Sequence, residues 1–260
     1  MKRIGVLTSG GDTPGMNAAI RAVFKTGVDI DLQVMGIYHG YKGLIEGRVG
    51  YLAHADVESK MHKGGTILRT ARSEEFKTEG GIEKAISVLR AYEIEGLIVI
   101  GGDGSFKGAD ALSKRGIPVI GIPGTIDNDM GYTDFTIGFD TAVNNVMNEI
   151  YKIRDTMRAH DRVGVIEVMG RRCGDIALWA GVAGAADIIL VPERPLSWAD
   201  AANRLAANKL RGQLTSIVMI AEGAGKAEDF CEYVRKYTDV EIKATVLGYI
   251  QRGGNPSAFD

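Results

Sequence analysis

The chain has 260 residues, enough for one large α/β domain or two smaller ones. A hydrophobic share of 45%, a charged share of 25% and a net charge of −2 are ordinary for a globular protein, and they argue against a nucleic-acid footprint or a polybasic membrane patch. Two distant cysteines, Cys173 and Cys231, make neither a disulfide framework nor a zinc spacing, so a reducing cytosol is expected; the basic N-terminus has too short an apolar run for a signal peptide, and no stretch nears the ~18 apolar residues of a membrane span.

Short apolar runs alternate with amphipathic stretches along the chain. Residues 4–7, 97–100, 119–122, 163–168, 188–191, 217–221 and 245–247 are predicted as buried strands. Thr13-Pro14 reads as an N-cap and first-turn pair, followed by one apolar helix face of Met16, Ala19, Ile20, Val23 and Phe24. Val143, Val146, Met147, Ile150, Ile153 and Met157 make a second face at helical spacing. This alternation predicts parallel sheets covered on both faces, with ligands held beyond the carboxyl ends of the strands. Glycine is 35 of 260 residues, and the glycines gather just after the apolar runs, where a backbone turns sharply or approaches a ligand. No 20–50-residue period repeats, and a change of domain is expected near residues 138–141.

Four loops carry chemistry-bearing residues. Thr8-Ser9-Gly10-Gly11-Asp12-Thr13-Pro14-Gly15-Met16-Asn17 joins a strand to a helix, and its small residues would let backbone N–H groups face an anion. Met16-Asn17 stands where a P-loop needs Lys-Ser/Thr, so the loop is either a phosphate cradle of another kind or a tight turn. Gly101-Gly102-Asp103-Gly104-Ser105 follows the next strand; its glycines suit phosphate and Asp103 offers an oxygen to Mg²⁺, while Lys107 breaks a dinucleotide fingerprint. Pro123-Gly124-Thr125-Ile126-Asp127-Asn128-Asp129 holds two carboxylates two residues apart, which on extended backbone would point the same way, one to take a proton and one to hold metal. The competing reading is an Asx-rich turn. Val168-Met169-Gly170-Arg171-Arg172-Cys173-Gly174-Asp175 supplies Arg171, which with Arg72 would neutralise a phosphoryl group in flight.

These four loops, in this order and at these separations, resemble the signature loops of the bacterial 6-phosphofructokinases, and the likeness runs over the whole chain. The resemblance implies two Rossmann-like three-layer domains with mostly parallel sheets and the active site in the cleft between them: 1–138 with 251–260 for ATP, and 139–250 for the sugar phosphate. It implies that Gly11, Arg72, Ser73, Gly102, Asp103, Gly104 and Ser105 bind ATP. Asp103, helped by Asp129, would hold Mg²⁺. Thr125, Ile126 and Asp127 would meet the sugar, Asp127 as general base toward the 1-hydroxyl of fructose 6-phosphate, with Thr125, Arg171 and Arg72 completing the catalytic set. Met169, Gly170, Arg171, Glu222, Lys243, Tyr249 and Arg252 would hold the sugar phosphate, together with an Arg162 reaching in from a neighbouring subunit of a homotetramer. Arg21, Lys25, Arg154, Asp187 and Arg211 resemble an effector site for ADP or phosphoenolpyruvate. Neither nucleic acid nor membrane is implied as a partner.

The sequence also departs from the family pattern. Lys243 and Tyr249 stand where Arg and His are usual, and Lys cannot form the bidentate fork of Arg, so weaker sugar-phosphate binding is expected. Arg21 and Lys25 are like charges one turn apart, mildly destabilising without an anion between them. His54, Ser59 and Gln213 stand where charged residues are usual, so a diminished effector response is expected. Roughly a fifth of a typical member, at its C-terminal end, has no counterpart here. Diphosphate-using relatives carry Asp and Lys where this chain has Gly104 and Gly124; two glycines leave room for adenosine, which favours ATP. The rivals are a diphosphate-dependent enzyme and a sensor without turnover, and Asp103, Asp127, Asp129 and Arg171 speak against the sensor.

Overall fold

The computed structural model describes residues 2–260. They cluster into two units, one of residues 2–125, Met130–Gly138 and Gly253–Asp260, the other of Ile126–Asp129 and Phe139–Arg252. Against the division expected from the sequence, two short segments change sides. Ile126 is 4% exposed and sits in the core of the second unit with Val146, Val168 and Ala221, which draws 126–129 away from the strand they follow. Residues 251–252 also stay with the second unit.

In the first unit the chain runs β1 (Arg3–Ser9), α1 (Met16–Asp29), β2 (Gln33–Ile37), α2 (Gly40–Ile45), β3 (Val49–Tyr51), α3 (His54–Val57), α4 (Glu79–Ala91), β4 (Gly96–Gly101), α5 (Asp103–Ser113) and β5 (Val119–Pro123). The sheet order is β3-β2-β1-β4-β5, parallel except for β3. Side chains alternate across it. Leu7, Ile37 and Val99 enter a core with Ile86 and Leu89 of α4, whereas Ile4, Val6 and Val34 enter another with Ile20 and Phe24 of α1. Ile120 of β5 is 64% exposed and, with Val23, Ile30 and Ile98, lines an open apolar hollow of about 460 Å³.

The second unit runs α6 (Phe139–Ala159), β6 (Val163–Val168), α7 (Asp175–Ala183), β7 (Ile188–Leu190), α8 (Trp198–Leu210), β8 (Ser216–Ala221), α9 (Ala227–Tyr237) and β9 (Ile242–Val246). Its sheet is wholly parallel in the order β7-β8-β6-β9. Helices α6 and α7 cover one face, with Val146, Ile150, Ala177 and Ala180 against Ile166 and Met219; α8 and α9 cover the other, with Leu205 and Phe230 against Val165 and Val218.

Three sequence expectations change. Strands β2 and β3 escape periodicity because β2 is interrupted by Gly36, where a Cβ would come within 2.9 Å of Leu52 and Leu68, and β3 is three residues long. The strand expected at 245–247 runs from Ile242 to Val246; as a sheet edge it carries exposed Lys243 beside buried Ile242. Helix α1 begins at Met16, not after Thr13-Pro14. Thr13 donates its hydroxyl to the carbonyl of Ile137 at 3.1 Å instead, and Gly15 caps the helix in the left-handed region at φ 96°. A Cβ there would meet Ile137 at 2.5 Å, so position 15 admits only glycine.

Candidate active site

Strands β1 and β4 are neighbours, and the chain leaves them toward opposite halves of the first sheet, so the loops after them flank the switch point where α/β folds bind ligands. Both loops end in helices without a side-chain cap: Gly15 caps α1 and Gly102 caps α5. By contrast Thr78 accepts from Gly81 at the start of α4 and Ser197 from Asp200 at the start of α8, while α2, α7 and α9 also begin without a side-chain cap. The bare helix ends leave N–H donors and positive dipole ends open to an anion. Beside them the hydroxyl oxygen of Ser105 is buried with no hydrogen-bond partner. It lies 3.3 Å from where a Cβ on Gly10 would stand and 2.4 Å from one on Gly101. An unsatisfied buried hydroxyl costs about 1–3 kcal/mol; a phosphate oxygen would satisfy it.

Asp103 opens α5 with an exposed carboxylate held by Lys107 at 2.6 Å. Thr70 donates to the carbonyl of Gly10 at 2.7 Å, tying the Arg72 loop to the β1 loop. Exposed Arg72 has no hydrogen bond or ion pair among the described residues, and the hydroxyl of Ser73 accepts from Phe76 at 3.2 Å. Gly11 and Gly104 are exposed, and a Cβ on Gly104 would meet nothing within 4 Å. Gly124 differs from expectation. It is buried, and a Cβ would press on Ile100 at 3.2 Å and Met16 at 3.4 Å, so its smallness serves packing rather than leaving open room. Thr125 lies beside Gly102, 3.4 Å from its would-be Cβ, and accepts at its carbonyl from Thr136 at 2.6 Å.

In the second unit four segments converge. Asp127, 8% exposed, pairs with Arg171 at 3.3 Å. Glu222, just beyond β8, accepts from the Arg171 N–H at 2.7 Å, and the Gln251 carboxamide accepts from the Met169 N–H at 3.0 Å. Arg171 is held at φ 53° after Gly170 at φ 134°; a Cβ on Gly170 would strike the Cys173 carbonyl at 2.3 Å. Burial raises the pKa of Asp127, Asp129 and Glu222 raise it further, and Arg171 and Arg252 pull it back. The result is a carboxylate with a proton affinity above the ordinary one, kept in reach of a cation, as a general base requires. The Cys173 thiol in the same loop is pushed up to about 11, chiefly by burial, and is no nucleophile at neutral pH.

Asp127 and Asp129 do not project together as an extended strand would make them. Asn128 between them lies in the left-handed region at φ 53° and donates its side-chain amide to Asp175 at 2.8 Å. The segment is a turn that sets the two carboxylates apart: Asp127 is buried and Asp129 exposed. Ile126, expected at the sugar, spends its side chain on the core.

A profile of the family described as phosphofructokinase matches residues 3–260. The chain belongs to the phosphofructokinase family. It is 55% identical over 260 residues to a protein of Clostridium novyi named ATP-dependent 6-phosphofructokinase, covering all of this chain and 82% of that one. Its fold matches phosphofructokinase from Saccharomyces cerevisiae with a TM-score of 0.92 at 36% identity, over 100% of this chain and 39% of the yeast chain. A pyrophosphate-dependent phosphofructokinase from Marinobacter aquaeolei matches at 0.85 and 24% identity, over 97% of this chain and 69% of that one, a likeness of fold alone.

Two residues expected at the sugar phosphate stand apart from the rest. Arg162 precedes β6 and Lys243 lies early in β9, in register with Gly164, at the amino ends of the strands. Met169, Arg171, Glu222, Tyr249 and Arg252 follow the carboxyl ends, roughly 17 Å of strand away. Arg162 pairs with Glu241 at 2.6 Å. Tyr249 is 78% exposed, with the Arg252 guanidinium 5.8 Å from its ring centre.

The residues expected at an effector site are divided between the units. In the first, Arg21 and Lys25 both reach Glu58 at 3.3 Å, and Lys25 contacts His54 at 3.3 Å. The anion needed between the like charges is therefore a carboxylate of the chain itself, and Lys25 followed by Arg21 lowers its pKa. In the second, Arg154 donates to the carbonyls of Gly184 and Ala185, and Asp187 accepts from Ile217 at 2.7 Å and from Gln213 at 2.6 Å, two residues beyond exposed Arg211. Sequence reasoning missed Glu58, Gln251 and the Asn128–Asp175 contact, since nothing in their local pattern marks partners 33 to 82 residues away. Among the described residues, no helix is long and apolar enough to cross a membrane.

Proposed function

We propose that this chain is an ATP-dependent 6-phosphofructokinase, moving the terminal phosphoryl of ATP to the 1-hydroxyl of fructose 6-phosphate. The buried Asp127 carboxylate paired with Arg171 carries the reading. As the sugar oxygen bonds to phosphorus, Asp127 takes its proton, the bond from phosphorus to the bridging oxygen breaks, and ADP leaves with that oxygen. Arg171, 66% exposed at its side chain, turns from Asp127 to the equatorial oxygens, where its charge counts most as the phosphoryl is transferred. The uncapped starts of α1 and α5 and the hydroxyl of Ser105 hold nucleotide phosphates.

Mg²⁺ prefers one or two carboxylates and takes its other ligands from phosphate and water, and the exposed carboxylates of Asp103 and Asp129 fit that donor set. When bound, the ion neutralises charge on the phosphates. The open space at Gly104 and the name of the Clostridium relative support ATP as donor.

The amino-end position of Arg162 and Lys243 supports a homotetramer in which both serve a neighbouring subunit's sugar phosphate. The Lys243 and Tyr249 replacements weaken that binding. Restoring Lys243→Arg with Tyr249→His is expected to lower the half-saturating fructose 6-phosphate, and an unchanged value refutes this. The Glu58 carboxylate between Arg21 and Lys25 competes with an anionic effector, so response to ADP or phosphoenolpyruvate is diminished; strong saturable inhibition by phosphoenolpyruvate would contradict it.

The test is fructose 1,6-bisphosphate formation with Mg²⁺, run with ATP and with diphosphate in parallel. Turnover with ATP alone is expected. Turnover with diphosphate alone overturns the donor, and ATP binding without turnover by either favours a sensor.

A further inference from the structure

The loop carrying Arg171 and the turn carrying Asp127 are joined at two points. One is the Asp127–Arg171 ion pair, and the other is the bond from the Asn128 amide to the carboxylate of Asp175. Two joints fix the orientation of one segment against another, whereas a single joint leaves a pivot. The two differ in permanence. On the function proposed above, Arg171 leaves Asp127 to meet the phosphoryl group at the moment Asp127 must face the acceptor hydroxyl. The ion pair is thus absent when the base acts, and the Asn128–Asp175 bond still links the turn to the Arg171 loop.

We infer that Asp175 is a positioning residue: through Asn128 it holds the base-bearing turn in place while Arg171 is away. Its own footing suits that task. Asp175 is the first residue of α7, whose Ile176, Ala177 and Ala180 are fully buried in the core of the second unit, so its carboxylate stands on a rigid element. A carboxylate there is also favoured by the helix dipole. Asn128 suits the other side. Asparagine tolerates the left-handed conformation that separates buried Asp127 from exposed Asp129, and its amide is a donor that a neighbouring aspartate would lack. Neither residue needs to touch substrate, so the inference predicts an effect on the chemical step rather than on binding.

The test measures kcat, both KM values, thermal stability and the stabilisation by ATP for the wild type and four variants. Asp175→Ala is expected to lower kcat by about 100-fold, the scale of a misplacement near 1 Å, with both KM values changed less than about threefold. Asp175→Asn keeps an acceptor oxygen and is expected to stay within about threefold of the wild type in kcat. Asn128→Asp sets carboxylate against carboxylate and is expected to be as impaired as Asp175→Ala. Combining it with Asp175→Asn restores a donor and an acceptor with their roles exchanged, and kcat is expected to recover at least about tenfold. ATP stabilisation preserved in every variant shows that each is folded. An active wild type with an equally active Asp175→Ala variant overturns the inference alone, as does equal impairment in Asp175→Ala and Asp175→Asn. A wild type that binds ATP without forming fructose 1,6-bisphosphate overturns the proposed function, and this inference with it.

Discussion

The two units handle charge in opposite ways. The first offers backbone: glycines, the helix starts at Gly15 and Gly102 without side-chain caps, and the orphaned hydroxyl of Ser105. The second offers side chains that already hold one another, Asp127 with Arg171, Glu222 with the Arg171 N–H, Asn128 with Asp175 and Gln251 with Met169. A backbone cradle has fixed geometry and no proton to exchange, which suits a nucleotide phosphate that is only held. A network of carboxylates and arginine can move a proton and redirect a charge, which suits the atoms that react. On the proposed function, the difference teaches that holding and reacting are built from different parts of the polypeptide, each on its own sheet.

The comparison is broken most severely by removing the mobile charge. Arg171→Ala is expected to lower kcat by about 10²- to 10³-fold, the cost of losing one donor at developing charge. It also removes the cation that holds down the Asp127 pKa, so the acid limb of the pH–rate profile should move to higher pH. A limb that stays in place would show that Asp127 is not the titrating base.

A smaller effect sharpens the other half. Ser105→Ala removes a hydroxyl with no partner in the free protein, so stability without ligand should hold or rise. The KM for ATP should increase by about fivefold, the loss of roughly 1 kcal/mol. A fall in ligand-free stability with an unchanged KM would make the hydroxyl structural.

The same contrast explains what the sequence disclosed. The backbone sites lie in contiguous strings such as Gly101-Gly102-Asp103-Gly104-Ser105, because one strand-to-helix turn builds each of them, and apolar runs give away the strands beneath. The reacting half is assembled from segments up to 125 residues apart, from Asp127 to Arg252, so local pattern gave its members no common sign and only the resemblance joined them. Even then the left-handed Asn128 hid the divergence of Asp127 and Asp129, since a two-residue spacing implies one face only on extended backbone. Gly124 misled for a related reason: a glycine that makes room for a ligand and one that makes room for Ile100 look alike in sequence. Edge strand β9 was displaced because exposed Lys243 interrupts its apolar run.

The central claim is that Asp127 is a base whose burial the fold tolerates for the sake of reactivity. Its folded pKa is raised, so between the ordinary carboxylate value and the raised one the native state binds more protons than the unfolded chain. Stability contributed by this group therefore falls as pH rises through that window and stays low at neutral pH. The most direct measurement is the melting temperature of Asp127→Asn against the wild type from acid to neutral pH, with turnover measured alongside. The account predicts a variant without measurable turnover that still binds ATP. Its melting temperature should equal or exceed that of the wild type at neutral pH, and the difference should shrink as the wild-type carboxyl is protonated. A variant that keeps turnover, or that melts well below the wild type at neutral pH, would contradict it.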